Sequence, residues 1–213
     1  MTTLAEALCA AIGADNVRDD EATRTTFSIQ GVMPHCVVTP GNLEQLQAVM
    51  RVASERHAAT TAWGGGTQQS IGAAPARLDL VVRTERLHQV LTHTPDDLTI
   101  SVGAGMTFGA LRARLARHGQ MLALDPPLPE RATIGGLIAT ATDGPRRLGY
   151  GTLRDVLIGI TVVEADGHVS RGGGMVVKNV SGFDMMKLYL GSFGTLAIIA
   201  SANFKLLPLP RAA

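Results

Sequence analysis

A short strand-like run, Thr60-Thr61-Ala62-Trp63, passes straight into three consecutive glycines, Gly64-Gly65-Gly66, followed by Thr67 and Gln68. Each glycine loses more backbone freedom on folding than any other residue and brings no side chain to pack. A chain that keeps three in a row needs bare backbone there, for a turn, a bulge or a ligand held against the main chain. Two more stretches set glycine beside a hydroxyl: Thr133-Ile134-Gly135-Gly136 and Gly191-Ser192-Phe193-Gly194-Thr195. Amides exposed in such loops form concave anion sites, and the hydroxyl adds a donor. The second stretch opens a helix-like run, Leu137–Ala141, whose N-terminus favours negative charge. A diphosphate matches all three, whereas a turn explains any one of them alone.

Periodicity supplies the elements around these loops. Thr3 followed by Glu6 reads as a capping box, with Leu4, Ala7, Leu8 and Ala11 on one helical face until Gly13. A polar stretch from Asp15 to Thr26 leads to a short strand at Cys36–Pro40. Residues 42–58 form an amphipathic helix capped by Asn42, with Leu43, Leu46, Val49, Met50 and Ala53 as its buried stripe. Strands follow at Thr60–Trp63 and Leu78–Val82, so this part reads β-α-β-loop-β, a small sheet with a crossover helix. Beyond residue 85 come two strands joined by Thr94-Pro95-Asp96-Asp97, then a helix capped by Thr107 and ended by Gly119. A hairpin turns at Ala165-Asp166-Gly167, and a long strand runs from Thr195 to Pro210. The expectation is an α+β chain of two lobes, about 1–85 and 86–213.

Composition removes several functions. With 46% hydrophobic residues and a net charge of +1, the 213-residue chain builds a substantial core and shows no basic stripe for nucleic acid. Cys9 and Cys36 stand outside any CxxC or metal spacing and read as buried free thiols of a reducing compartment. No apolar run reaches the roughly 18 residues needed to cross a bilayer, and the N-terminus lacks the early positive charge of a signal peptide. These features imply a cytoplasmic protein, one that can still dock at a membrane through partners. No Lys-Ser/Thr follows the glycines at P-loop spacing, GGGTQQSIG is not GxGxxG, and HExxH and GxSxG are absent. The histidines share no ligand spacing, and no metal site is assigned.

Taken in order, TAWGGGTQ, then LALDPPLPERATIGGLIATATDGPRRLGYGTLRDVLIGITVVEADG, then KNVSGFDMMKLYLGSFGTLAIIASANFKLLPLP resemble the FAD-binding domain of the vanillyl-alcohol oxidase/PCMH flavoprotein family. GPRR, YG, RDVLIG and GGGMVVKNVSGFD resemble most the E subunits of bacterial glycolate oxidases. The resemblance runs from about Pro34 to Pro210. It implies a PCMH-type fold whose two lobes clasp FAD, with a C-terminal cap domain lying beyond the sequence. It also implies an FAD-dependent oxidoreductase acting on glycolate or another 2-hydroxy acid, D-lactate included, or on an alcohol; an FAD-binding assembly module without turnover is the alternative. The implied partners are a second flavoprotein and an iron–sulfur subunit.

Carried over by position, Trp63, Gly64, Gly65, Gly66, Thr67 and Gln68 form the pyrophosphate loop. Thr133, Gly135 and Gly136 cover the other side of the diphosphate, with Asp125 and Pro126 near that wall. Asp143, Gly144, Gly149, Tyr150 and Gly151 line the cofactor further along. Ile198 and Ile199 match a strand whose backbone contacts the adenine or flavin, although Ala197 replaces the family's usual glycine. Some relatives tether FAD through a histidine near the first loop. No histidine lies between residues 58 and 87, and His57 reads as a solvated helix end, so FAD is expected to be noncovalent. Gly65→Val is expected to block the diphosphate and leave the fold largely intact. Asp184 reads as the cap of the helix DMMKLYL. No catalytic acid or base is assigned.

Overall fold

The computed structural model describes residues 2–175 and 184–210. Helix α1 (Leu4–Ile12) carries its capping box in full: the Glu6 amide donates to Thr3 Oγ1 at 3.1 Å and the Thr3 amide to Glu6 Oε2 at 2.7 Å. Gly13, at φ 85°, ends it. The polar stretch that follows holds β1 (Val17–Arg18) and α2 (Glu21–Thr26). Periodicity misses α2 because none of its residues is buried; its one sequence signal is the Asp20 cap on the Thr23 amide. Next come β2 (Cys36–Val38), α3 (Leu43–Glu55, capped by Asn42), β3 (Thr60–Trp63) and β4 (Leu80–Arg83). The strand expected at Leu78–Val82 thus starts two residues later. The sheet order is β1-β2-β4-β3, with β2 and β3 both parallel to β4 and β1 antiparallel to β2. Strand β3, the one that feeds the triple glycine, is therefore an edge.

The second sheet is antiparallel, in the order β5-β6-β10-β8-β9. Its strands are β5 (Val90–Thr94), β6 (Thr99–Gly103), β8 (Leu157–Glu164), β9 (Val169–Gly173) and β10 (Ala197–Lys205). Between β6 and β8 lie α4 (Phe108–Ala116), β7 (Gln120–Met121), α5 (Ile134–Thr140), α6 (Arg147–Tyr150) and α7 (Leu153–Val156). Helix α8 (Met185–Tyr189) precedes β10. The long terminal strand expected from Thr195 is instead β10 plus β11 (Leu207–Pro208), which leaves the sheet to pair with β7. Asp184 precedes α8 without capping it; its carboxylate pairs with Lys187 at 2.5 Å. Lys178 and Asn179 lie outside the described residues.

Of the central strands, β8 is covered on both faces and reads as a nearly unbroken apolar run. Strand β10 opens the same way over Ala197–Ala200 and then alternates, with Ser201, Asn203 and Lys205 on its less buried face. One face packs on Phe108, Leu111, Leu115, Ile134 and Ile138. The other meets α1, α3 and the first sheet through Val163, Ile198 and Ala200. Strand β10 changes faces part-way: Ala197 and Ile199 join the first cluster, then Ala202 and Phe204. A bulge at Ala200, between the pairs Ile199–Val162 and Ser201–Thr161, accounts for the change of parity. Cys36 is buried and Cys9 half-buried, both as free thiols, and burial pushes the Cys36 thiol up to about 12.

Candidate functional site

A cleft of ≈ 340 Å³ is lined by residues of both sheets. One wall is the free edge of β3 with the glycine loop behind it, and the other is α5 and the first residues of β10. The three glycines meet three different constraints. A Cβ on Gly64 would lie 2.1 Å from Thr133 Oγ1, and one on Gly65 would lie 1.7 Å from the Arg131 carbonyl oxygen. Gly66 has φ +66° and sits against the Trp63 ring. The loop is therefore bare because it is pressed onto residues 131–133 of the opposite wall. The same contact corrects the expectation for Gly65→Val: a branched side chain there collides with backbone before any ligand arrives.

Hydrogen bonding separates this loop from the other two. No amide from Gly64 to Gln68 donates to an acceptor among the described residues. In α5, by contrast, the Ile134 amide donates to Met106 O at 2.9 Å and the Gly135 amide to Ala104 O at 2.8 Å. The Gly136 amide donates to Thr133 Oγ1 at 3.3 Å. The expected anion site at that helix start is thus taken by protein acceptors, and Gly135 and Gly136 contribute bare surface to the cleft. The third stretch closes the other end of α5, where the Gly191 and Phe193 amides donate to Ile138 O and Ala139 O at 2.9 and 2.8 Å. Of the three stretches, the first alone has a run of amides without an acceptor among the described residues, and residues 64–68 line the cleft. Such a run of donors is what an anion nest is built from.

Side chains hold that loop in place across the cleft. Gln68 Nε2 donates to Thr142 Oγ1 at 2.8 Å. Thr142 Oγ1 lies 2.8 Å from Thr140 Oγ1, which donates to Gly136 O at 2.8 Å. Gln69 Nε2 donates to Ala62 O at 3.0 Å, pinning the loop to its own strand. Trp63 does not line the cleft; it packs edge-on against Phe27, with ring centroids 5.1 Å apart.

Of the residues expected at the site, Gly64–Gln68, Gly135, Gly136, Ile198 and Ile199 share the cleft wall. Thr133 is buried behind it as the α5 cap. Asp125, Pro126, Asp143, Gly144, Gly149, Tyr150 and Gly151 lie outside the wall. Several of them build one another: Asp125 Oδ1 accepts the Arg146 amide at 3.0 Å, and Asp143 Oδ1 accepts the Leu153 amide at 2.6 Å. Gly144 is forced by φ +88°, with Asp125 Oδ1 2.2 Å from any Cβ. Beside them the Asp155 carboxylate accepts from the Thr152 amide and hydroxyl, which holds it below the usual carboxylate range. Tyr150 is exposed. Phe193 and Gly194 of the third glycine stretch are in the wall, and so are residues not assigned to the site from sequence, Arg77, Leu137 and Thr140 among them. Thr140 stands one helical turn from Gly136, a spacing that puts both on one face; Arg77 carries no sequence signal.

A match to the FAD binding domain family covers residues 34–183, most of the chain. The chain belongs to that family. This FAD-binding domain is 38% identical over 177 residues to a D-lactate dehydrogenase of Archaeoglobus fulgidus, covering 82% of the chain and 39% of the relative. It is 34% identical over 211 residues to glycolate oxidase subunit GlcD of Bacillus subtilis, covering 96% and 45%. Glycolate oxidase subunit GlcE of Escherichia coli is 35% identical over 150 residues, covering 70% and 42%. The domain thus spans less than half the length of these relatives. Among solved structures, an alkyldihydroxyacetonephosphate synthase aligns with TM-score 0.83 at 23% identity, covering 98% of this chain and 41% of that one. A p-cresol methylhydroxylase aligns at 0.79 and 20%, covering 98% and 44%. These two likenesses establish the α+β fold alone. No described helix is long and apolar enough to cross a membrane.

The cleft fits the cofactor of the family. Cofactor pockets typically run from about 300 to 1,000 Å³, and the 64–68 amides, without an acceptor among the described residues, are donors of the kind a diphosphate needs.

Proposed function

We propose that the chain is the FAD-holding part of a 2-hydroxy-acid oxidoreductase, one FAD-binding unit whose lobes divide near residue 85. The observation that carries this is the run of amides from Gly64 to Gln68 with no acceptor among the described residues, in residues that line the cleft of a chain in the FAD-binding family. FAD supplies the redox chemistry, accepting a hydride at its isoalloxazine ring. The chain's own residues bind and orient. The 64–68 amides hold the diphosphate by dipoles, and Gly135 and Gly136 border it on the opposite wall. The Ala197–Ile199 stretch of β10 borders the same slot. Binding is noncovalent, since no histidine lies between residues 58 and 87 and His57 is exposed at the end of α3 with φ 49°.

The substrate is glycolate, with D-lactate supported equally by the names of the relatives. In the glycolate case the chain works as an E-type subunit beside a second flavoprotein and an iron–sulfur subunit, and any membrane association runs through those partners. The remaining alternative is a module that holds FAD but turns nothing over by itself.

The visible spectrum of the purified protein tests the central claim. Flavin bands are expected, with free FAD released by acid precipitation. A colourless protein that takes up no added FAD overturns the reading, and flavin that stays with the acid precipitate overturns its noncovalent part. Bleaching by D-lactate or glycolate, with and without partner subunits, ranks the substrates and the module alternative.

A further inference from the structure

The cleft wall carries one charged side chain among its described residues, Arg77. It stands at the far end of β3 from the glycine loop, beside Ala59. Strand geometry of about 3.3 Å per residue puts Thr60 roughly 13 Å from Gly64, the reach of a nucleoside from its diphosphate.

Arg77 is held in place, although its side chain is 62% exposed. Its Nε pairs with Asp79 Oδ2 at 2.9 Å, and its Nη2 donates to the His57 carbonyl. Asp79 is a buried carboxylate, and such a group is costly unless fully partnered. It accepts the Ala59 amide at 2.7 Å through the same Oδ2, while Oδ1 faces His35 Nδ1 at 3.4 Å. The carboxylate therefore joins the start of β3 to the guanidinium, fixing the cation relative to the strand edge. Nη1 has no acceptor among the described residues. Pro75 and Leu78, near neighbours of Arg77 in sequence, add apolar surface to the same wall.

We propose, resting on the FAD reading above, that Arg77 determines specificity for the nucleoside half of the cofactor. A guanidinium donates and never accepts, so it reads the acceptor nitrogens of a purine or the oxygens of its ribose, and its planar face stacks on a flat base. The slot between the β3 edge and Ala197–Ile199 then receives the base, with its apolar lining adding contact beside the cation. Arg77 thereby sets the direction of the ligand, with the nucleoside toward Ala59 and the flavin at the opposite end.

The test is binding of FAD, ADP and FMN to the full chain and to its Arg77→Met and Arg77→Lys variants, by flavin fluorescence and calorimetry. Arg77→Met is expected to weaken FAD and ADP by roughly tenfold, the scale of one charge-assisted hydrogen bond, and to leave FMN unchanged. Arg77→Lys keeps a cation beside Asp79 and so preserves the melting temperature, but is expected to lose most of the FAD-over-FMN preference. Should Arg77→Met misfold, the lysine variant gives the same readout. Equal weakening of all three ligands, or of none, overturns the inference while FAD binding by the parent chain stands. A parent chain that binds neither FAD nor ADP overturns the underlying reading as well.

Discussion

Two glycine pairs face each other across the cleft, Gly64-Gly65 and Gly135-Gly136, each beside a threonine, yet they do opposite work. The first belongs to an irregular loop whose amides donate to nothing among the described residues. The second opens a helix whose first amides are bound by Met106 O, Ala104 O and Thr133 Oγ1. Both are bare for steric reasons, at Thr133 and Arg131 for one and Ala104 for the other. Glycine content marks where backbone comes close to something. Only the accounting of donors and acceptors says whether that partner is a ligand.

The largest effect expected from breaking this comparison is at Gly65. Gly65→Val places branched carbon against the Arg131 carbonyl, and overpacking of this kind typically costs about 1–3 kcal/mol. Thermal unfolding is expected to shift down together with loss of FAD binding. An unchanged melting temperature would show that the loop does not seat on residues 131–133.

A matched pair sharpens the contrast. Thr133→Ala removes a helix cap worth about 1 kcal/mol and frees the Gly136 amide, so stability falls while FAD affinity holds. Gln68→Ala cuts the tether to Thr142, a hydrogen bond worth about 0.5–1.5 kcal/mol, and loosens the loop that carries the donors. Its FAD affinity is expected to fall several-fold with little change in melting temperature. The reverse ranking, measured by flavin titration and calorimetry, would make the helix start the anion site.

The smallest effect lies in the segment outside the cleft. Asp155 has its carboxyl lowered first by the Thr152 amide and then by the Thr152 hydroxyl. A depressed folded-state value means that its contribution is present above the unfolded pKa and is lost as pH falls through the folded value. Asp155→Asn is expected to lower stability slightly at neutral pH and to flatten the decline below about pH 4, with FAD binding untouched at pH 7. A pH profile identical to the parent would remove the Thr152–Asp155 pair from the fold's acid response.

Much of the fold was legible in the residues. Thr3, Asn42 and Thr107 cap the helices expected of them, and, of the expected stripe, Leu46, Val49, Met50 and Ala53 are buried while Leu43, in the first turn, is half-buried. These are local matters, set by neighbours three or four residues apart. Helix α2 escaped because it buries nothing, and the terminal strand was read as continuous because neither the bulge at Ala200 nor the turn to β7 changes its apolar character. At the site, the glycine loops were visible by composition, and their resemblance to a flavoprotein family named the ligand. The placement of Asp125, Asp143 and Tyr150 away from the wall was not visible.

What the sequence determined by itself is therefore the set of elements, their order and the loops where backbone is bare. Tertiary structure decided which bare backbone offers donors without an acceptor among the described residues, that Gln68 bridges to Thr142, and that Arg77 is the charged side chain of the wall among the described residues. The physical reason is range. A cap or a periodic face is complete within a turn or two of chain, whereas an amide is free or engaged according to which distant segment arrives opposite it. Gly65 meets Arg131 and Gly135 meets Ala104 only once the two sheets have packed.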